Sequence, residues 1–490
     1  MSTGPNVLFI TLDQFRGDHL GHLGHPHVQT PHLDALARRG VSFARHYSQA
    51  APCGPGRACL YTGTYQSTNR VVFNGTPLDD RFDNVARVAR RAGYIPTLFG
   101  YTDQAVDPRT VDDPDDPRLG TYEGVLPGFE VALDLTHQRE AWNRWVADHG
   151  YPTHADPDQM LATEPDRPAE VGISAFLTDR FETWLDQQRG PWFAHLSHLR
   201  PHPPYAAAGR WATAFDPAGT DTPIPPAQHR HPLHDTMLSM TGLAAPDDDH
   251  AMRAIRAQYL GMIADVDEQV GRALAAIERR GELGDTVVIV TSDHGDQLGD
   301  HGLLGKLGWF EASYAIPCII ADPRRPAAHG TVVDAFTENV DVLPTLCTLI
   351  GVPTPAQCDG ASLESFLNGE PTPPTWRDAA VWEFDWRALM LMGGVDPVSA
   401  GAELAAMNLC VWRSADTAYI QFGDGSWQCF DLAADPTWRT PTEDHSRVFD
   451  AARAMLTWRS RHLDRTLSDT LLEGTLLGRI PDRPSWTPGA

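Results

Sequence analysis

As far as about residue 350, this 490-residue chain alternates short, almost wholly apolar segments with longer amphipathic ones. The apolar segments have the length of buried strands, and we predict strands over 6–12, 95–101, 191–199 and in TVVIVTSDHG (286–295). The amphipathic segments have helical spacing, and we predict helices over 30–40, 84–94, 176–188 and 255–283. Strands and helices that alternate in this way form a largely parallel sheet with helices on both faces.

The rest of the chain has a different pattern. Segments 103–170 and 203–250 are rich in Pro and Asp, and we predict that they are long loops or insertions. Segment 410–436 has the pattern of antiparallel strands with a Gly-Asp-Gly turn. We therefore predict an α/β fold with a mostly parallel central sheet flanked by helices, and a small C-terminal antiparallel sheet with a helix. The corresponding domains are 1–375 and 376–490.

The charge of the chain restricts its partners. The formal net charge of −25 argues against binding to nucleic acid or to an anionic membrane surface. No segment approaches the roughly 18 apolar residues of a membrane span, and the start MSTGPNVLFITLDQ lacks the features of a signal peptide. The seven cysteines include no CxxC pair, so we expect a reducing, cytoplasmic location. An anionic substrate would require a locally positive pocket.

Polar side chains follow two of the predicted strands. Asp13 and Gln14 come directly after the first strand, and Asp293 and His294 come directly after VVIVTS. Because ligands bind beyond the carboxyl ends of parallel strands, these groups should meet at one edge of the sheet. Two carboxylates with an imidazole and an amide make a divalent-metal site the natural hypothesis. The alternative is that each aspartate only caps the turn after its strand.

Cys53 lies in an unusual sequence, CGPGRACLYTG. The glycines and proline that follow it predict a tight turn that opens a helix, and a helix N-terminus would stabilise a reactive thiolate. The alternative, a small buried apolar residue, suits three other cysteines better, namely Cys59, Cys318 and Cys347.

Lys306 is the single lysine among the 39 lysine and arginine residues of the chain. A general preference for arginine is a compositional explanation, and Lys306 would then have survived by chance. The more specific interpretation is that this position needs a compact cation that can lose its proton, which arginine cannot provide.

Four motifs together resemble the sulfatase family. The signature C-x-P-x-R at 53–57 is followed by L-x-T-G, and LDQFRGDHLG, LRPHPPY and TSDHGDQLGDHGLLGK stand in the family order. The resemblance implies the fold of the alkaline phosphatase superfamily. Gln14, His294 and the segments PCGPGRA, FNGTPLD and GYTDQAVDPRT are most similar to the branch of bacterial arylsulfatases and phosphonate monoester hydrolases.

The resemblance also implies a set of functional groups. Cys53 would be oxidised to formylglycine by a formylglycine-generating enzyme, and its hydrate would attack the substrate beside one divalent metal, Mn²⁺ or Ca²⁺. The implied metal ligands are Asp13, Gln14, Cys53, Asp293 and His294. The implied catalytic residues are Cys53, Arg57, His202 and Lys306, and the implied substrate-binding residues are Asn74, Tyr101 and Asp103.

The resemblance leaves the substrate open. Our first expectation is the hydrolysis of sulfate monoesters, small anionic esters of the kind that arylsulfatases cleave, with promiscuity. The alternatives are a phosphonate monoester or phosphodiester hydrolase that uses the same groups, and a catalytically silent binding protein. Sulfatases tend to have Lys-x-His, and phosphonate hydrolases Tyr-x-Thr, where this chain has Tyr101-Thr102-Asp103. An acidic residue is therefore expected beside an anionic ester.

The C-terminal segment 467–490 is long and polar and contains a tryptophan. We predict that it is an arm that packs against a neighbouring subunit, in a homo-oligomer that is a dimer or a tetramer.

Overall fold

The computed structural model describes residues 4–136, 139–394, 403–462, 471–472 and 478–479. The strands of its main sheet are β1 Asn6–Leu12, β2 Val41–Tyr47, β3 Pro96–Gly100, β4 Glu130–Asp134, β5 Phe193–His198, β6 Thr286–Thr291, β7 Cys318–Ala321 and β8 Thr331–Glu338. Within the described residues they form an eight-stranded sheet in the order β4-β3-β5-β1-β6-β7-β2-β8. Only β7 runs antiparallel to its neighbours in this sheet, so the predicted mostly parallel sheet is confirmed.

Helices cover both faces of this sheet, as predicted. The helices that precede the second sheet in the described residues are α1 Pro31–Arg38, α2 Cys53–Thr62, α3 Gln66–Asn69, α4 Val85–Arg91, α5 Glu140–Asp148, α6 Pro157–Ala162, α7 Ile173–Leu185, α8 Pro232–Leu238, α9 Asp249–Arg279, α10 Val342–Ile350 and α11 Glu364–Leu367. Side chains of β1 alternate between the two faces. Leu8 and Ile10 pack with residues of α1, α7 and α9, whereas Val7 and Phe9 pack with residues of α2, α4 and α10.

A second sheet follows the first, and it is antiparallel, as predicted. Its strands are β9 Ala379–Asp385, β10 Asn408–Ser414, β11 Thr417–Phe422 and β12 Trp427–Asp431, in the order β12-β11-β10-β9. Helices α12 Arg387–Met392 and α13 His445–His462 accompany it. Trp382 of β9 stacks on Tyr47 and Tyr314, with ring centroids 5.7 and 4.9 Å apart. Since the two sheets share a hydrophobic core here, the division into 1–375 and 376–490 stays a prediction.

The predicted C-terminal arm, 467–490, lies outside the described residues except for a short antiparallel pair, β13 Leu471–Leu472 and β14 Gly478–Arg479. No helix of the described residues combines the length and the apolar character that crossing a membrane requires.

The two segments predicted as long loops or insertions contain regular structure, as insertions do. Segment 103–170 contains the edge strand β4 and the helices α5 and α6, and 203–250 contains α8. Most side chains of β4 are exposed, so the strand lacks the apolar pattern of a buried one. The start of α6 carried a local signal, because Asp156 caps the helix and Pro157 occupies its first turn.

Candidate active site

The pairing of β1 with β6 brings the two predicted acidic strand ends together. Thr11 of β1 is opposite Thr291 of β6 in parallel register. Asp13 and Asp293 each lie two residues farther along, and both are buried. The backbone N–H of Gln14 donates to Asp293 Oδ1 at 3.2 Å, which ties the two strand ends directly.

Cys53 is the first residue of α2, and the helix places its side chain between these strand ends. Its Sγ lies 3.2 Å from His294 Nε2, 3.2 Å from Lys306 Nζ and 3.9 Å from Asp13 Oδ1. Ligand atoms of Asp13, Cys53, Asp293 and His294 all lie within 4.8 Å of one another. Two carboxylates, an imidazole and the side chain of residue 53 are a donor set that fits a divalent cation.

Gln14, the fifth predicted ligand, lies beside this group of four. Its backbone is in the left-handed region, with φ of 67°. Its Oε1 accepts from Lys306 Nζ at 2.9 Å, and its Nε2 donates to Asp296 Oδ2 at 2.6 Å. The amide oxygen therefore faces the same space as the Cys53 side chain, and coordination by Gln14 stays a prediction.

Arg57, one helical turn after Cys53, contacts the carboxylates of both Asp13 and Asp293. Its Nε donates to Asp293 Oδ2 at 2.9 Å, and a terminal nitrogen donates to Asp13 Oδ2 at 3.0 Å. Its other terminal nitrogen donates to Ser197 Oγ at 2.8 Å. Because the guanidinium is fully buried and its hydrogen bonds are directed at these partners, it fixes the two acidic side chains rather than facing solvent.

The electrostatics of the site differ from the expectation for Cys53. Burial and the charge of Asp13 raise the pKa of the thiol well above its usual value, so the predicted thiolate is wrong. Burial also raises the pKa of Asp293 to about 6, together with the charge of Asp13. Burial acts to raise the pKa of Asp13 as well, but the cationic groups around it, Arg57 and Lys306 among them, outweigh that effect and lower it.

The nitrogen groups of the site are two cations, Arg57 and Lys306, and two neutral imidazoles, His294 and His202. Burial, followed by the charge of Lys306, lowers the pKa of both His294 and His202 to about 3. Burial acts to lower the pKa of Lys306, but the contact with the Cys53 side chain and the charges of Asp13 and Asp293 outweigh it and raise that pKa. Lys306 is therefore protonated at neutral pH.

The hydrogen bond of His202 restricts what this residue can do. Its Nδ1 lies 2.7 Å from the carbonyl oxygen of Pro203, so Nδ1 carries the proton and donates it there. In a neutral ring Nε2 then carries a lone pair and accepts a proton instead of donating one. His202 Nε2 then has no proton to donate, whereas the ammonium group of Lys306 has.

The three predicted substrate-binding residues surround Cys53. Tyr101 donates its hydroxyl to Asp13 Oδ2 at 2.7 Å, and Asn74 Oδ1 accepts from the backbone N–H of Gly54 at 2.8 Å. Asp103 is buried, and its Oδ2 lies 3.8 Å from Arg57 Nε. Burial raises the pKa of Asp103 to about 7. Contact of these three residues with a substrate stays a prediction.

Sequence reasoning missed several residues that support the site. Asp296 is fully buried and accepts hydrogen bonds from Gln14 and from the hydroxyl of Tyr205. Ser197 accepts from Arg57. Asp296 and Tyr205 both lie inside motifs quoted above, but their pairing, across 91 positions of sequence, leaves no local pattern.

Comparison with known proteins agrees with this geometry. The family model described as Sulfatase matches residues 5–352. The multifunctional alkaline phosphatase superfamily protein PehA of Trinickia caryophylli is 35% identical over 95% of this chain and 97% of its own length. Choline-sulfatase of Rhizobium meliloti (strain 1021) is 29% identical over 91% of this chain and 84% of its own.

A solved structure extends the likeness to three dimensions. The crystal structure of the phosphonate monoester hydrolase of Agrobacterium radiobacter is 39% identical in sequence, with a TM-score of 0.87, over 97% of this chain and 100% of that one. Family model, relatives and fold therefore agree: the chain is an enzyme of the sulfatase family, within the alkaline phosphatase superfamily.

Proposed function

We propose that this protein is a formylglycine- and metal-dependent hydrolase of sulfate monoesters. The observation that carries the proposal is the convergence of Asp13, Asp293 and His294 on Cys53, with Lys306 Nζ 3.2 Å from its Sγ. In the matured enzyme, the hydrated aldehyde at position 53 would supply the attacking hydroxyl group where Sγ now lies.

The four clustered side chains would hold the divalent cation that the family implies, with the position-53 oxygen in place of sulfur. When bound, such a cation lowers the pKa of a coordinated hydroxyl and neutralises charge on a non-bridging oxygen of the substrate. The nitrogen of His294 favours Mn²⁺ over Ca²⁺, which prefers an all-oxygen site. Metal analysis of the purified protein tests this choice.

Three residues of the chain would carry out the other steps of the reaction. Arg57 holds the carboxylates of Asp13 and Asp293 in place through its two short hydrogen bonds. Lys306 presents a protonated amine beside the nucleophile, where it can neutralise the leaving oxygen or protonate it. His202, with its free Nε2, is suited to accept a proton when the intermediate collapses to the aldehyde.

Hydrolysis of phosphonate monoesters or phosphodiesters is the second candidate. The observation in its favour is the likeness, at 39% identity, to a solved phosphonate monoester hydrolase. These esters and sulfate monoesters each carry one negative charge at neutral pH and expose non-bridging oxygens. One site that stabilises charge on those oxygens can therefore serve both classes.

Two measurements test the proposal. Mass spectrometry of protein produced together with a formylglycine-generating enzyme should show that the peptide containing residue 53 is lighter than its cysteine form, because sulfur is exchanged for oxygen. The matured protein should then hydrolyse an aryl sulfate, and comparison of its kcat/KM with that for a phenylphosphonate ester ranks the two substrate classes. An unmodified Cys53, or a matured protein without turnover of either ester, would favour a binding protein instead.

We further propose that a formylglycine-generating enzyme matures this protein, that it acts in the cytoplasm, and that it assembles into a homodimer or homotetramer. None of the seven cysteines, all of which lie within the described residues, forms a disulfide, which supports a reducing location. The exposed side chains of Phe449 and Leu456 on α13 support a subunit contact, since both are 66% exposed. Analytical ultracentrifugation tests the assembly, and a monomer would refute it.

A further inference from the structure

Asp296 joins segments of the active site that are far apart in sequence. Its carboxylate is fully buried. Oδ2 accepts from Gln14 Nε2 at 2.6 Å and from the Tyr205 hydroxyl at 2.8 Å. Oδ1 accepts from the backbone N–H groups of Leu298 at 2.7 Å and of Gly305 at 3.1 Å.

Three of these donors belong to segments that carry proposed functional residues. Gln14 follows Asp13 directly, Tyr205 lies three residues after His202, and Gly305 precedes Lys306. The carboxylate of Asp296 therefore contacts the strand end that carries Asp13 and the two loops that carry His202 and Lys306.

The chemistry of a carboxylate fixes the orientation of the Gln14 amide. An ionised carboxylate only accepts hydrogen bonds, so it must face the NH₂ group of Gln14. The amide oxygen is thereby directed away from Asp296, and it accepts from Lys306 Nζ at 2.9 Å. Asp296 thus restrains Lys306 in two ways, through the backbone at Gly305 and through the side chain of Gln14.

We propose that Asp296 is a positioning residue that holds the ammonium group of Lys306 against the side chain of residue 53. Its effect on catalysis rests on the proposed function, because it assumes that Lys306 acts on the leaving group. Its effect on the position of Lys306 does not depend on turnover.

The test uses Asp296→Asn, which keeps the shape of the side chain but replaces one acceptor oxygen with a donor NH₂. Two of the four donors face Oδ1 and two face Oδ2. Whichever way the asparagine amide is turned, its NH₂ group therefore faces two donors and leaves them without an acceptor. Asp267→Asn is the matched control, because Asp267 is also buried and accepts two backbone N–H bonds, from His32 and Leu33, outside the site.

The single lysine provides a readout that is independent of activity. In the full chain labelled with ¹³C,¹⁵N-lysine, the lysine side-chain signals come from Lys306 alone. We expect these signals to shift in Asp296→Asn and to stay unchanged in Asp267→Asn. Tyr205→Phe removes one donor only and should cause a smaller shift, so it also tests the proposal if Asp296→Asn does not fold.

The kinetic readout is the dependence of kcat on the leaving group. In Asp296→Asn we expect kcat to fall by about 10- to 100-fold, with the largest losses for aryl sulfates whose phenols have the highest pKa. The control should keep the wild-type dependence.

Lysine signals that are unchanged in both Asp296→Asn and Tyr205→Phe, or shifted equally in Asp267→Asn, would overturn the inference. An equal loss of kcat for every leaving group would also overturn it. If no variant and no wild-type protein turns over any ester while the lysine signals shift as expected, the proposed function fails but the positioning role stands.

Discussion

Replacement of Lys306 by methionine is the most direct test of how the site treats the leaving group. Methionine has a similar length and no charge. The ammonium lies 3.2 Å from Cys53 Sγ. If it comes as close to the leaving oxygen, its charge and a full negative charge on that oxygen would interact by about 5 kcal/mol at an effective dielectric constant of about 20. This value is a ceiling, because Asp13 and Asp293 lie nearby and oppose the field of the lysine. Loss of one group that stabilises a transition state usually costs about 3–4 kcal/mol, so we expect kcat/KM to fall by about 10²- to 10³-fold.

The assay is steady-state hydrolysis of aryl sulfates whose phenols span a range of pKa values. If Lys306 neutralises or protonates the leaving oxygen, Lys306→Met loses most with the poorest leaving groups and least with nitrophenol. Circular dichroism and metal content should match those of the wild type, since Lys306 is not a proposed ligand. Lys306→Arg should not restore activity, because guanidinium is wider and does not give up its proton. A loss below about threefold, or the same loss for every ester, would refute this role.

Four further outcomes follow from the geometry. Arg57→Gln leaves the buried carboxylates of Asp13 and Asp293 without the guanidinium that they share. We expect urea denaturation to show a loss of about 3–5 kcal/mol in the free energy of unfolding, which added Mn²⁺ should partly recover. An unchanged denaturation midpoint would contradict this. Burial raises the pKa of Asp103 to about 7, so this side chain is neutral below that pH and anionic above it. The kcat/KM for anionic esters should therefore fall above about pH 7 in the wild type but not in Asp103→Asn. The same pH profile in both proteins would exclude Asp103 as the cause. Asp265 has its pKa raised by burial from 3.8 to about 7, so the folded state keeps a proton that the unfolded state loses between those values, and stability falls as the pH rises through that window. Asp265→Asn should therefore be more stable than the wild type at pH 8, by up to about 4 kcal/mol, and the gain should vanish near pH 4 in the same denaturation assay. Chelation of the metal should weaken binding of sulfate or an ester, measured by calorimetry, as well as turnover; unchanged binding would show that the cation is needed only for chemistry.

The sequence was most informative about the centre of the fold. β1 was predicted at its observed bounds, and β3, β5 and β6 lie within the segments predicted for them, because strands buried on both faces are mostly apolar. β2 and β4 carry exposed or charged side chains and β7 has only four residues, so none of them shows that pattern. The edge strands are β4 and β8, and β2 lies inside the sheet. Exposed or charged side chains in β2, β4 and β8, and the short length of β7, therefore hid the strands that the sequence did not reveal.

The site residues that lie at the ends of strands or within motifs could be predicted from the sequence. Asp13 and Asp293 followed from the carboxyl ends of two apolar strands, and their register then places them side by side. Cys53 was placed correctly at a helix N-terminus, yet its predicted ionisation was wrong. The direction of a pKa shift depends on burial and on charges brought together from distant segments, and neither is visible along the chain.

The balance of charge explains why such an acidic protein can still bind an anionic ester. Within the described part of the site, the cations Arg57 and Lys306 face the carboxylates of Asp13 and Asp293, so these four groups nearly cancel. A net charge of −25 supplies no attraction from the rest of the chain. We therefore expect the attraction to come from the divalent cation that the carboxylates would hold, which would leave Lys306 to act on the leaving group as proposed. No second lysine is needed to neutralise the substrate's non-bridging oxygens, because the cation would do this. The acidic residues that hold the cation would also fix its position relative to the substrate.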